Sequence, residues 1–177
     1  FYICLNFFEI FAPVIACDDK VCICISTFFE GNKTRSDDAV FYINNEFTSH
    51  FDKEGDALKL MNTSAAVPNL YSISDDLKQL SISAIPTLKD SLHIFPLGLN
   101  MLKGGKMILQ LQEITKWPEA YRVYLYDAQT RILQNLKDIP AYNCNAKPGR
   151  DENRFSLVFS LKDIQCLSGR QNDFKVY

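Results

Sequence analysis

The chain has 177 residues, enough for one domain and tight for two. Nineteen Lys and Arg against 21 Asp and Glu leave a formal net charge of −2, without the basic excess that a phosphate-binding protein carries. With 47% hydrophobic and 23% charged residues the composition is that of a globular chain, not a disordered one, and 13 Phe and 8 Tyr lean toward β structure.

Residues 1–16 are apolar but are interrupted by Asn6, Glu9 and Pro13, and a membrane-spanning helix needs about 20 uninterrupted apolar residues. We expect a buried strand or the remnant of a signal segment there, and no membrane span. Val21 to Ile25 reads as a first central strand, closed by turn residues at 30–33, and Asp38 to Ile43 as the next. Short alternating runs follow at 57–61, 70–74 and 80–84, with Asp75-Asp76 as a hairpin signal between the last two. Pro86 and Pro96 bracket residues 92–95, and Lys103-Gly104-Gly105-Lys106 is a turn. Residues 107–112, 122–126, 132–136, 141–145 and 155–161 complete the series, broken by Trp117-Pro118 and Pro148-Gly149. Short strands with a turn signal about every eight to twelve residues predict an all-β, two-sheet antiparallel sandwich, jelly-roll-like, with an up-and-down barrel as the alternative. The domain is expected over 17–167, with 168–177 a polar linker and the first strand of a following unit.

The six cysteines lack zinc spacing. Cys22 and Cys24 are two apart on a strand, so they share a face, and a bridge between them would be strained. Buried free thiols are the expectation.

Several runs taken together resemble a known module. Residues 123–130 (VYLYDAQT) are similar to a strand and turn of the form V-x-L-x-D-x-x-T-G. Residues 141–146 and 152–159 follow the forms Y-x-F-x-A and x-x-R-F-x-L-x-F, and residues 37–42, 48–52 and 56–61 stand in the matching order upstream. The chain in this respect resembles the β-sandwich module that precedes the sorting domain in type IX-secreted surface proteins of Bacteroidetes. Arg131 stands where that pattern has Gly, and Cys144 where it has Phe. The resemblance implies a non-catalytic spacer or adhesion module, secreted or on the cell surface and outer membrane-associated. Its partners would be other domains of a larger protein, and a glycan or protein ligand.

Four constellations are candidates for chemistry. Asp37, Asp38, Asp52 and Asp56 could supply the oxygens of a calcium site, the one cofactor considered; the plainer reading is a salt bridge from Asp52 or Asp56 to Lys59 and a turn cap. Arg154 could hold a partner's carboxylate, or pair within the fold with an acid such as Asp127 and join two strand ends. Trp117, with Tyr121, Tyr124 and Tyr126, could form an aromatic platform for a sugar: with Val123 and Leu125 facing the core, Tyr124 and Tyr126 would be exposed. Carbohydrate binding is therefore the alternative function. His50 and His93 stand near no nucleophile motif, so no enzyme is expected. Residues 104–106 lack the spacing of a phosphate loop, and Asn32-Lys33-Thr34 and Asn62-Thr63-Ser64 are glycosylation triplets, a pattern common by chance.

Overall fold

The computed structural model describes residues 20–166 and 174–176, and the expected apolar segment 1–16 lies outside them. Thirteen strands and no helix are present among these residues: β1 (Cys22–Phe29), β2 (Asp37–Ile43), β3 (Ala57–Leu58), β4 (Asn69–Ile73), β5 (Gln79–Ile85), β6 (Leu92–Met101), β7 (Gly105–Thr115), β8 (Arg122–Asp127), β9 (Ile132–Asn135), β10 (Ala141–Ala146), β11 (Gly149–Ser160), β12 (Ile164–Cys166) and β13 (Phe174–Val176). The all-β expectation holds.

The spacing predicts two separate antiparallel sheets, whereas the hydrogen bonds join ten strands into one path, β10-β7-β1-β2-β5-β4-β6-β11-β8-β9, with β3 added on β5 and β12 and β13 paired apart from it. The pairing of β2 with β5 is parallel, so the sheet is mixed. It curls until it is nearly closed, barrel-like. The two end strands are bridged by side chains: Gln134 Nε2, on β9, donates to the carbonyl of Ala141, on β10, at 3.0 Å. Neither β6 and β7 nor β10 and β11 are sheet neighbours, so residues 102–104 and 147–148 each carry the chain across the same end of the barrel.

Strand alternation sorts the apolar residues onto two surfaces. Ile23 and Ile25, Val123 and Leu125, and Phe155, Leu157 and Phe159 enter the main core with Phe41, Leu97 and Leu109. The outward residues of β1 are also buried: Cys22 and Cys24 pack with Val40, Tyr42 and Ala84 beneath Phe47. This outer cover explains why Cys22 and Cys24 are buried although they face away from the main core. The outward side of β8 is covered likewise, with Tyr124 against Val158 and Ile164.

One departure has a physical cause. β6 runs through Pro96, which was expected to end it; β4 pairs with β6 only from Leu97 onward, so that edge of the strand is open at Pro96, where a missing N–H is tolerated. Phe174–Val176, expected as the first strand of a following unit, pairs antiparallel with Ile164–Cys166. Cys22 is disulfide-bonded, not free, while Cys24 and Cys144 are free thiols as expected.

Candidate functional site

The β8–β9 hairpin ends on Asp127, whose Oδ1 accepts the backbone N–H of Gln129 at 2.9 Å and so fixes the turn as an aspartate-capped loop. Arg131 closes that turn at φ 59, the left-handed conformation that favours Gly. On β11 the pairing with β6 shifts between Asp151 and Phe155, and this bulge carries Arg154. Arg154 Nε and Nη2 reach Asp127 Oδ1 and Oδ2 at 3.0 and 2.8 Å, a bidentate pair whose side chains are 8% and 0% exposed. Arg154 Nη1 donates to the carbonyl of Asn145 at 2.7 Å, and Tyr142 Oη donates to Asp127 Oδ2 at 2.8 Å. Thr130 Oγ1 lies 3.0 Å from the same Tyr142 hydroxyl. The cluster therefore clasps β10 to β8 and β11 across the open seam. The pairing of Arg154 with Asp127 was legible in the sequence; Tyr142 was not singled out.

Burial alone would push the Asp127 carboxyl up, but the hydrogen bonds from Arg154 and Tyr142 and the guanidinium charge outweigh it and hold the carboxyl below its ordinary value. Burial and the neighbouring carboxylate push the Tyr142 hydroxyl up to about 12. The Cys144 thiol beside the cluster is pushed up to about 11, chiefly by burial, and burial takes Cys24 to about 12. Both thiols stay protonated near neutral pH.

Beside the clasp, under the 147–148 crossing, lies a cavity of about 500 Å³. Leu99 and Met101 form its apolar floor, Arg154 and Gln129 one wall, and Lys147 and Arg150 its rim. A second, smaller cavity of about 200 Å³ runs beside β4, β5 and β6 and includes His50 and His93. His93 Nε2 accepts the N–H of Asp90 at 3.2 Å and its ring stacks on Phe95. Among the described residues no hydrogen bond joins either imidazole to a serine or cysteine.

The aromatic platform is corrected. Trp117 is 7% exposed, in the main core, with its ring 4.5 Å from that of Phe159. Tyr124 is 5% exposed, and Tyr126 is half-buried against the same outer cluster. Val123 and Leu125 do face the core, so the tyrosines do point outward. The chain after β11 folds back over them: Ile164 packs on Tyr124 and its N–H donates to Tyr124 Oη at 3.4 Å.

The four aspartates do not converge. Asp37 pairs with Lys59 and also accepts the N–H of Leu70 at 2.7 Å; Asp38 accepts the Ser26 hydroxyl. Asp52 Oδ2 accepts the N–H of Thr48 at 2.6 Å. Asp56 accepts the N–H groups of Asp52 and Ala84 at 2.8 and 2.7 Å. The partner of Lys59 is thus Asp37, not Asp52 or Asp56, while these last two cap the loop as the plainer reading expects. Among the described residues no group of three or more His, Cys, Asp or Glu is placed to hold a metal ion. No helix of the described residues is long and apolar enough to cross a membrane.

The model of one protein family, described as a domain of unknown function (DUF8693), matches residues 27–159, which spans the sheet from within β1 to the end of β11. No curated protein and no solved structure matches the chain.

Proposed function

The chain belongs to the DUF8693 family, and from that footing we propose that it is a non-catalytic module of a larger exported protein, a spacer or adhesion domain held at the cell surface. The observation that carries the reading is where its buried reactive groups are committed. Arg154 is held by Asp127 and Lys59 by Asp37, and the Cys24 and Cys144 thiols are kept protonated by burial. Export is supported by the disulfide at Cys22, since such bonds persist in oxidising compartments. The likeness of residues 123–130 and 152–159 to the module before a type IX sorting domain supports the same address.

For the finer architecture we propose a flattened barrel equivalent to a two-layer jelly-roll-like sandwich. One layer is β10-β7-β1-β2-β5, the other β4-β6-β11-β8-β9, and the crossings at 102–104 and 147–148 are its arches. The shared core and the two crossings at one end support this arrangement.

Brief protease treatment of intact producing cells, with mass spectrometry of the released peptides, tests the location. Peptides from residues 20–166 are expected in the released fraction. Their retention in the cells while a known surface protein is released would refute it.

A further inference from the structure

We propose that the cavity beneath the 147–148 crossing binds a small organic carboxylate with a short apolar tail. The inference stands whether or not the domain is exported.

The guanidinium of Arg154 carries five N–H donors. Its Nε and Nη2 hold Asp127 and its Nη1 holds the carbonyl of Asn145, which uses three of them. Among the described residues, one hydrogen on Nη1 and one on Nη2 have no protein acceptor, on a side chain that is 8% exposed and lines the cavity. Buried donors of this kind are normally satisfied, and a carboxylate is the acceptor whose geometry suits a guanidinium. Asp127 and Asn145 also lock the side chain in place, so little ordering remains to be done on binding.

The rest of the lining sets the ligand class. Pro148, exposed, and Ala146, half-buried, give the lining its accessible apolar surface, and the core residues Leu99 and Met101 close it beneath. Lys147 and Arg150 stand exposed at the rim, against a single lining carboxylate, Asp151. A volume of about 500 Å³ is that of a small-molecule site and too small for a folded partner. Because Asp127 already neutralises much of Arg154, a bare anion has only the rim cations to attract it. An acid that also covers the floor gains apolar contact.

Titration of the full chain with hexanoate, hexanamide, N-acetylleucine and inorganic phosphate, followed by amide chemical shifts, tests the proposal. Hexanoate is expected to shift the amides of Gln129, Asn145 and Gly149 saturably, and hexanamide to leave them unmoved. N-acetylleucine distinguishes the source of the carboxylate: binding tighter than hexanoate assigns the site to a peptide terminus, and weaker binding to a free acid. In the double variant Lys147→Ala/Arg150→Ala the hexanoate Kd is expected to rise about tenfold, as for the loss of one charge-assisted contact. These rim residues lie outside the clasp, so folding is unaffected and an unchanged thermal midpoint verifies it. The proposal is overturned by any of three results: no saturable shift with either acid, equal shifts with hexanoate and hexanamide, or phosphate binding as tightly as hexanoate.

Discussion

Replacing Asp127 by Asn keeps the side chain's size and removes its charge, leaving the Arg154 guanidinium buried with no counter-ion. The two side chains are 0% and 8% exposed, and they share two hydrogen bonds of 3.0 and 2.8 Å. Breaking one partner of such a buried pair costs about 3–5 kcal/mol. A domain of this size has roughly 5–15 kcal/mol in total, so the loss is a large fraction of it and the midpoint falls steeply. Removing both charges in Asp127→Asn/Arg154→Met is expected to cost less than the sum of the single changes, because neither leaves an unpaired ion behind. The sign of the pH dependence follows from the depressed carboxyl. The folded value lies below the ordinary 3.8, so the stability from the pair is fully present above that value and is lost as pH falls through the folded one. Asp127→Asn should therefore flatten the acid limb of the stability curve. Guanidinium unfolding followed by the fluorescence of Trp117, the only tryptophan, gives both quantities. Amide exchange should also rise in β10, which the cluster holds at the seam. A loss under about 1 kcal/mol, with β10 still protected, would refute the view that this cluster closes the barrel.

Gly98→Ala would place its Cβ 2.1 Å from the fully buried ring of Tyr71; a loss of about 1–3 kcal/mol or more is expected in thermal unfolding, and an unchanged midpoint counts against the packing described. Leu77 sits at φ 64 in the β4–β5 turn with 80% of its surface exposed, so Leu77→Gly should stabilise by about 1 kcal/mol, seen as a raised denaturant midpoint. The Cys24 thiol, pushed up to about 12, should resist iodoacetamide at pH 8 in the folded chain and react once it is unfolded; rapid labelling of the native chain would contradict its burial. Trp117 emission should be blue-shifted and poorly quenched by acrylamide, since the ring lies on Phe159 in the core; red-shifted, readily quenched emission would restore the exposed platform.

The strands were legible because their signals are local. Alternation over 70–74 and 80–84, with Asp75-Asp76 between, placed β4, β5 and their hairpin near their observed limits. The side of β8 that faces the core was legible for the same reason: Val123 and Leu125 are apolar and two apart. What covers the opposite side was not, because that depends on where the chain returns. Tyr124 reads as an exposed aromatic until Ile164, forty residues later, is found packed on it. The partners of the candidate calcium aspartates were hidden for the same reason. Four aspartates clustered in sequence say nothing of which backbone N–H groups they meet, and Ala84 and Leu70 take up two of them from distant strands.

Arg154 and Asp127 lie 27 residues apart, yet their pairing is legible in the sequence, because an acid at one strand end and an arginine at another offer a recognisable complementarity. The Gly expected at Arg131 has a related logic. The observed φ of 59 is the conformation for which Gly is the least strained choice, so the departure is in the side chain and not in the turn. That turn delivers Asp127 to Arg154, and Tyr142 completes the contact from the far edge of the sheet. A barrel edge left as a free ladder would be a template for pairing with other chains. Here the seam is closed by side chains: Gln134 and Arg154 reach the β10 backbone carbonyls at Ala141 and Asn145, and Tyr142 on β10 reaches back to Asp127. The cavity is a consequence of this kind of closure. Side chains span a wider gap than a hydrogen-bonded ladder, and the room left beneath the crossing is bounded by the same arginine that holds the gap together.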